Sequence, residues 1–187
     1  MSSASAQAGN AHGGADVLER LRALLRDGGG LMATLLAPAA AATPSSPARV
    51  AAAGPRAAGR RGEYELLVEA IYEGYLLHYA TPRVVSAAEE DLRLLAGDRL
   101  YAIGLARLVA LGDTPAVAEL ADTITLSALA QGAGRGELAD AVWAAGARAV
   151  GWGASEQHAR AKQLVIDGHP EAIAAMRTSV CEGAAPS

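Results

Sequence analysis

The chain has no phenylalanine, one cysteine and one lysine in 187 residues. Each shortage excludes something. A lone Cys181 allows no internal disulfide and no cysteine-based metal centre, which suits a reducing compartment. Lys162 stands alone among basic residues that are otherwise Arg. With the excess of Ala and Gly, this reads as the codon bias of a GC-rich bacterial genome. Half the residues are hydrophobic, yet many are Ala, so the core should be thin and its helices closely spaced. No apolar run is long enough to span a membrane; the best, "LMATLLAPAAAA", is short and holds Pro38. The N-terminus "MSSASAQAGNAHGG" lacks the basic start and apolar block of a signal peptide, so a cytoplasmic location is expected. A net charge of −4 argues against nucleic acid as a partner.

Familiar catalytic patterns are also missing. His12, His78, His158 and His169 show no HxxxH spacing. "GAGRG" follows a helical pattern rather than a strand, so it is no dinucleotide loop, and there is no nucleophile elbow or Cys/His pair. No run alternates β-branched residues, so the expected class is all-α.

What is present divides into three parts. Residues 1–62 read as a flexible, Ala/Gly/Pro-rich segment, with one short helix near 16–27 whose Leu18, Leu21 and Leu25 form a stripe fit for docking. Within it, residues 38–62 read as a linker, and its "PRAAGRR" as a solubilising basic cluster. An all-α domain follows over 63–181, and 182–187 form a tail. In the domain, 63–80 is one helix ending before Thr81-Pro82. Residues 87–111 form one long helix, or two broken near Gly97. Asp113 or Thr114 caps the next helix, with Pro115 in its first turn. A further helix begins near Gly136. Ser155 caps another that stops at Asp167-Gly168, and Pro170 opens a last short one.

Three features invite a functional reading. Glu69 and Glu73 lie at i,i+4 and would share a metal, although Glu65 extends the ladder as a solvated face would. Four of the five tyrosines (Tyr64, Tyr72, Tyr75 and Tyr79) share that helix; they line an apolar pocket, or they are core or interface. Asp98 interrupts an apolar stripe of Leu94, Leu95, Tyr101, Ala102 and Leu105, which is costly for a carboxylate unless it is satisfied. It is part of a site, an N-cap after Gly97, or half of a buried pair with Arg99 or Arg107.

The stretch "LLAGDRLYAIGLARLVALGD" resembles trans-isoprenyl (polyprenyl) diphosphate synthases, which carry a Gly-Asp-x-Leu-Tyr core there. The likeness covers residues 66–131, roughly a third of the chain. Pro82 in "YATPRVV" falls at the family's Gly-x-Pro turn, and Ala130-Gln131 at its Gly-Gln or Gly-Glu. The resemblance implies a helical bundle like part of the isoprenoid/terpenoid synthase fold. It makes Asp98, Gln131, Tyr72 and Tyr75 candidate substrate contacts for a prenyl diphosphate, and Glu69 and Glu73 candidate ligands for Mg2+. The departures are as informative. "EAIYE" stands where the family has DDxxD, His78 and Tyr79 replace its Arg pair, and its second aspartate-rich motif is absent. Ionising an allylic diphosphate needs several carboxylates around magnesium and cations for the leaving group. The resemblance therefore implies a noncatalytic descendant with no catalytic residue of its own. Such a chain would be a small regulatory or partner subunit that forms homo- or hetero-oligomers, including with a full-length prenyl synthase. The alternatives are a prenyltransferase, alone or completed by a partner, that uses the Glu-x-x-x-Glu pair, and a ligand-free helical scaffold for self-association.

Overall fold

The computed structural model describes residues 17–38 and 46–181. Among these the secondary structure is helical, with no strand beyond an isolated antiparallel bridge between Leu36 and Val85. The helices are α1 (17–28), α2 (Gly30–Thr34), α3 (Pro47–Ala53), α4 (Arg61–Tyr79), α5 (Glu90–Ala110), α6 (Thr114–Gly132), α7 (Gly136–Trp152), α8 (Glu156–Ile166) and α9 (Ala172–Cys181). A 3-10 turn over Pro55–Ala57 follows α3. The all-α class is as expected. The contacts fall into two compact units, the first within Met1–Arg49 and Gly62–Arg107, the second within Val50–Arg61 and Leu108–Ser187.

The first unit is built around α1 and α4. Val17, Leu18, Leu21 and Leu25 recur at helical spacing and are buried in one cluster with Ala70, Leu77, Val84, Val85, Ala96 and Leu100. Segments 35–37 and 84–86 are tied by Ala37 N–H to Val84 O (2.9 Å) and Ser86 N–H to Leu35 O (2.8 Å). The helix at 17–28 is therefore core, not an appendage of a flexible arm. Helix α5 runs unbroken through Gly97, which is a contact point rather than a break. A Cβ there would lie 2.5 Å from His78 Nε2, and one on Gly74 would lie 2.9 Å from Gly97 O. The missing side chains let α4 and α5 close together, as the small-residue composition demands.

In the second unit α7 packs on α6, α9 and the 3-10 turn, and α8 packs on α9. Asp113 caps α6, accepting from Ala116 N–H at 3.1 Å with Pro115 in the first turn, and Arg56 also bonds it at 2.6 Å. Ser155 caps α8, accepting from His158 N–H at 3.1 Å, and Gly168 follows its end at φ 65°. The expected linker over 38–62 is corrected in its second half. Residues 47–57 are helical and bury Ala48, Ala51 and Ala57. Alanine and glycine there mark close packing: a Cβ on Gly54 would overlap the Gly151 carbonyl, leaving no room for any side chain. Residues 1–16, 39–45 and the 182–187 tail lie outside the described residues.

Candidate functional site

Helix α4 presents Glu69 and Glu73 one turn apart on the same face, as their spacing predicts. Pro82 cannot continue the helix, and the chain turns back across its end, bringing residues 83–85 over these carboxylates. Both glutamates are 0 % exposed. Arg83 Nη2 bonds Glu69 Oε1, and Arg83 Nε lies 3.4 Å from Glu73 Oε2. Ser46 donates its hydroxyl to Glu69 Oε2. Glu73 Oε1 accepts three backbone N–H groups, from Arg83 (2.7 Å), Val84 (2.6 Å) and Val85 (3.2 Å). The Arg83 guanidinium also sits 5.2 Å from the centre of the Tyr72 ring. This is a buried ion cluster that pins the turn after α4.

These residues do not fit magnesium. Mg2+ requires near-octahedral oxygen ligands and keeps several waters. Here the cation is a guanidinium, and three of the four carboxylate oxygens are hydrogen-bonded to it, to a hydroxyl or to amides; the fourth, Glu73 Oε2, has Arg83 Nε at 3.4 Å and no hydrogen bond, and one free oxygen does not make an octahedral site. Among the described residues no group of three His, Cys, Asp or Glu side chains is placed to hold a metal.

The other candidate residues go elsewhere. The Asp98 side chain is 69 % exposed and pairs with His78 Nε2 at 3.2 Å. It is neither an N-cap nor buried with Arg99 or Arg107, because α5 does not restart at Gly97 and its stripe faces outward there. Leu95 beside it is 62 % exposed. A solvated carboxylate needs no special compensation. Tyr72 and Tyr75 stack with centroids 5.8 Å apart, and Tyr75 meets the exposed Tyr79 at 5.4 Å. Tyr75 is buried and Tyr72 half-buried. His78 stacks on Tyr101 at 5.4 Å. Burial, and then the negative charge that Tyr79, Asp98 and Tyr75 place nearby, push the Tyr101 hydroxyl well above the usual phenol range. Gln131 lies near the end of α6 in the second unit, half-buried.

Sequence reasoning passes over Arg83, which is the true partner of the acidic pair. It also passes over a polar cluster in the second unit. Glu119 and Asp122 come from α6, and His158 and Lys162 from α8. His158 Nε2 lies 2.6 Å from Glu119 Oε1, and Lys162 Nζ bonds Glu119 Oε2 (3.0 Å) and Asp122 Oδ2 (2.7 Å). His158 Nδ1 is 3.4 Å from Ser179 Oγ, which donates to Met176 O at 2.8 Å. Burial pushes the Glu119 carboxyl up, but the bond and charge of His158, then those of Lys162, outweigh it and hold the group below its ordinary range. Burial likewise works against charged Lys162, and Asp122 and Glu119 reverse this, raising its pKa. The signal is the matched i,i+3 acids and i,i+4 bases on two helices, and the only lysine in the chain.

No family model, curated protein or solved structure matches this chain. Its own chemistry must carry the reading. That chemistry includes, among the described residues, an ion cluster of Arg83 with Glu69 and Glu73 and another of Lys162 and His158 with Glu119 and Asp122. No helix among the described residues is long and apolar enough to cross a membrane.

Proposed function

We propose that the chain is a noncatalytic, partner-type subunit of a bacterial polyprenyl diphosphate synthase, retaining part of that enzyme's helical scaffold. One observation carries this reading. Glu69 and Glu73 occupy the place where the resemblance puts the metal-binding acids, and both are buried against Arg83. An internal guanidinium pairs with both acids, which supports a chain in which this pair no longer assists departure of a diphosphate. The Glu-x-x-x-Glu prenyltransferase reading is the one this arrangement disfavours. Leu94 and Leu95 on the outer face of α5, exposed beside Asp98, favour a contact role for this segment.

The test is a reconstitution. The purified chain, given Mg2+, farnesyl diphosphate and labelled isopentenyl diphosphate, is expected to show no turnover. Added to the full-length polyprenyl synthase of the same organism, it is expected to change the product chain-length distribution. Magnesium-dependent condensation by the chain alone, lost in Glu73→Gln, would reverse the assignment. An unchanged product profile together with no co-sedimentation would leave only a ligand-free scaffold.

A further inference from the structure

The second unit holds a cavity of about 300 Å³ where the end of α7 meets the start of α8 and helix α9. Its walls are the methyl groups of Ala145, Ala149 and Ala154 and the ring of Trp152. Its polar groups are Arg148, Ser155, His158 and Ser179. A volume at the small end of ligand pockets, mostly apolar with a few convergent polar groups, is the usual form of a small-molecule site.

Arg148 is the unusual member. Its guanidinium lies over Trp152, with the carbon at its centre 3.8 Å from the ring centroid. Its Nη1 is buried and has no hydrogen-bond partner among the described residues. The cations of the two ion clusters are matched: Arg83 by Glu69 and Glu73, and Lys162 by Glu119 and Asp122. Burial lowers the pKa of Arg148 and no carboxylate opposes the shift. Arginine stays charged regardless, so the cavity is lined by a positive charge that no carboxylate among the described residues pairs. His158 is held from its far side by Glu119, so any charge on the ring is already balanced.

We propose that this cavity binds a small organic oxyanion, a carboxylate or phosphate carried on a short apolar body. The Arg148 fork receives the oxyanion, the Ser155 hydroxyl, which among the described residues only accepts, donates to a remaining oxygen, and the alanine methyls and Trp152 cover the body. The assignment uses second-unit residues only. It does not depend on the prenyl-synthase reading, and either can fail alone.

The probes are phenyl phosphate and phenylacetate, with benzyl alcohol as the uncharged control. The readout is the Trp152 indole N–H resonance in a proton–nitrogen NMR spectrum, identified by its loss in Trp152→Phe. A saturable shift with at least one oxyanion and not with benzyl alcohol is expected, and the two probes report whether carboxylate or phosphate is preferred. Arg148→Met keeps the apolar stem and is expected to weaken binding at least about tenfold. Ala154→Leu narrows the mouth at an exposed position while leaving Arg148 intact, and is also expected to weaken binding; it decides the matter should Arg148→Met misfold. The proposal is overturned if neither oxyanion saturates, if benzyl alcohol binds equally, or if a folded Arg148→Met or Ala154→Leu protein binds as the parent does.

Discussion

Replacing Arg83 by methionine isolates what the buried cluster contributes. Methionine fills much of the same space but removes the charge that Glu69 and Glu73 share. Both carboxylates are fully enclosed, so water cannot replace the guanidinium without opening the turn. Removing one partner of a buried ion pair costs about 3–5 kcal/mol, against a typical total of about 5–15 kcal/mol. For a chain of this length that is a fall of about 6–20 °C in Tm. Loss of the Arg83–Tyr72 contact acts in the same direction. Urea unfolding followed by far-UV circular dichroism measures the change at constant m. The triple variant Arg83→Met, Glu69→Gln, Glu73→Gln supplies the control. Its amides still accept from Ser46 and the 83–85 backbone but no longer need a counter-ion, so it should recover part of the loss. A cost of less than about 1 kcal/mol for Arg83→Met would be too small for charges left unpaired in a core, and would show that the guanidinium does not hold the cluster. So would a triple variant no more stable than Arg83→Met.

Other expectations follow from the same geometry. Glu73→Ala strips the acceptor from three amides, so hydrogen exchange at Arg83, Val84 and Val85 should accelerate, and much less so in Glu73→Gln; equal exchange in both would contradict the hydrogen bonding described. Gly54→Ala drives a methyl into the Gly151 carbonyl, which cannot rotate away, at a cost of about 1–3 kcal/mol. Gly97→Ala meets a His78 ring that can swing aside, so calorimetry should rank Gly54→Ala as the more damaging. Glu119 has a folded pKa below its ordinary 4.5, so its contribution is complete above that value and is lost as pH falls through the folded one. Lys162 is raised above 10.5, so its contribution is complete below that value and is lost as pH rises through the folded one. Glu119→Gln should therefore flatten the acid limb of stability against pH and Lys162→Met the alkaline limb; unchanged limbs would show the cluster to be energetically idle.

Features governed by neighbours along the chain are legible in the sequence itself. Asp113, Pro115, Ser155 and Gly168 mark helix ends because capping and turn geometry involve residues three or four apart. The stripe Leu18, Leu21 and Leu25 marks a docking helix, although not that it sits in a core. Features settled by distant partners are not legible. Residues 47–57 look like linker because alanine and glycine carry no pattern, and only the approach of Gly54 to Gly151 explains them. Gly97 looks like a break for the same reason. The i,i+4 spacing of Glu69 and Glu73 correctly puts them on one face. Nothing local says that the facing cation is Arg83, which the turn at Pro82 folds back over them. Glu119 and His158 are 39 positions apart, and pairing at that separation has no signature in a single sequence.

The noncatalytic reading rests on Glu69 and Glu73 being paired with Arg83 rather than forming a divalent-cation site. Titration of the intact protein with Mn2+, a paramagnetic stand-in for Mg2+, decides between the two when free ion is followed by electron paramagnetic resonance. No tight, saturable uptake is expected, and Glu69→Gln/Glu73→Gln should give the same trace. One equivalent of bound Mn2+ that disappears in that double variant would contradict the pairing with Arg83.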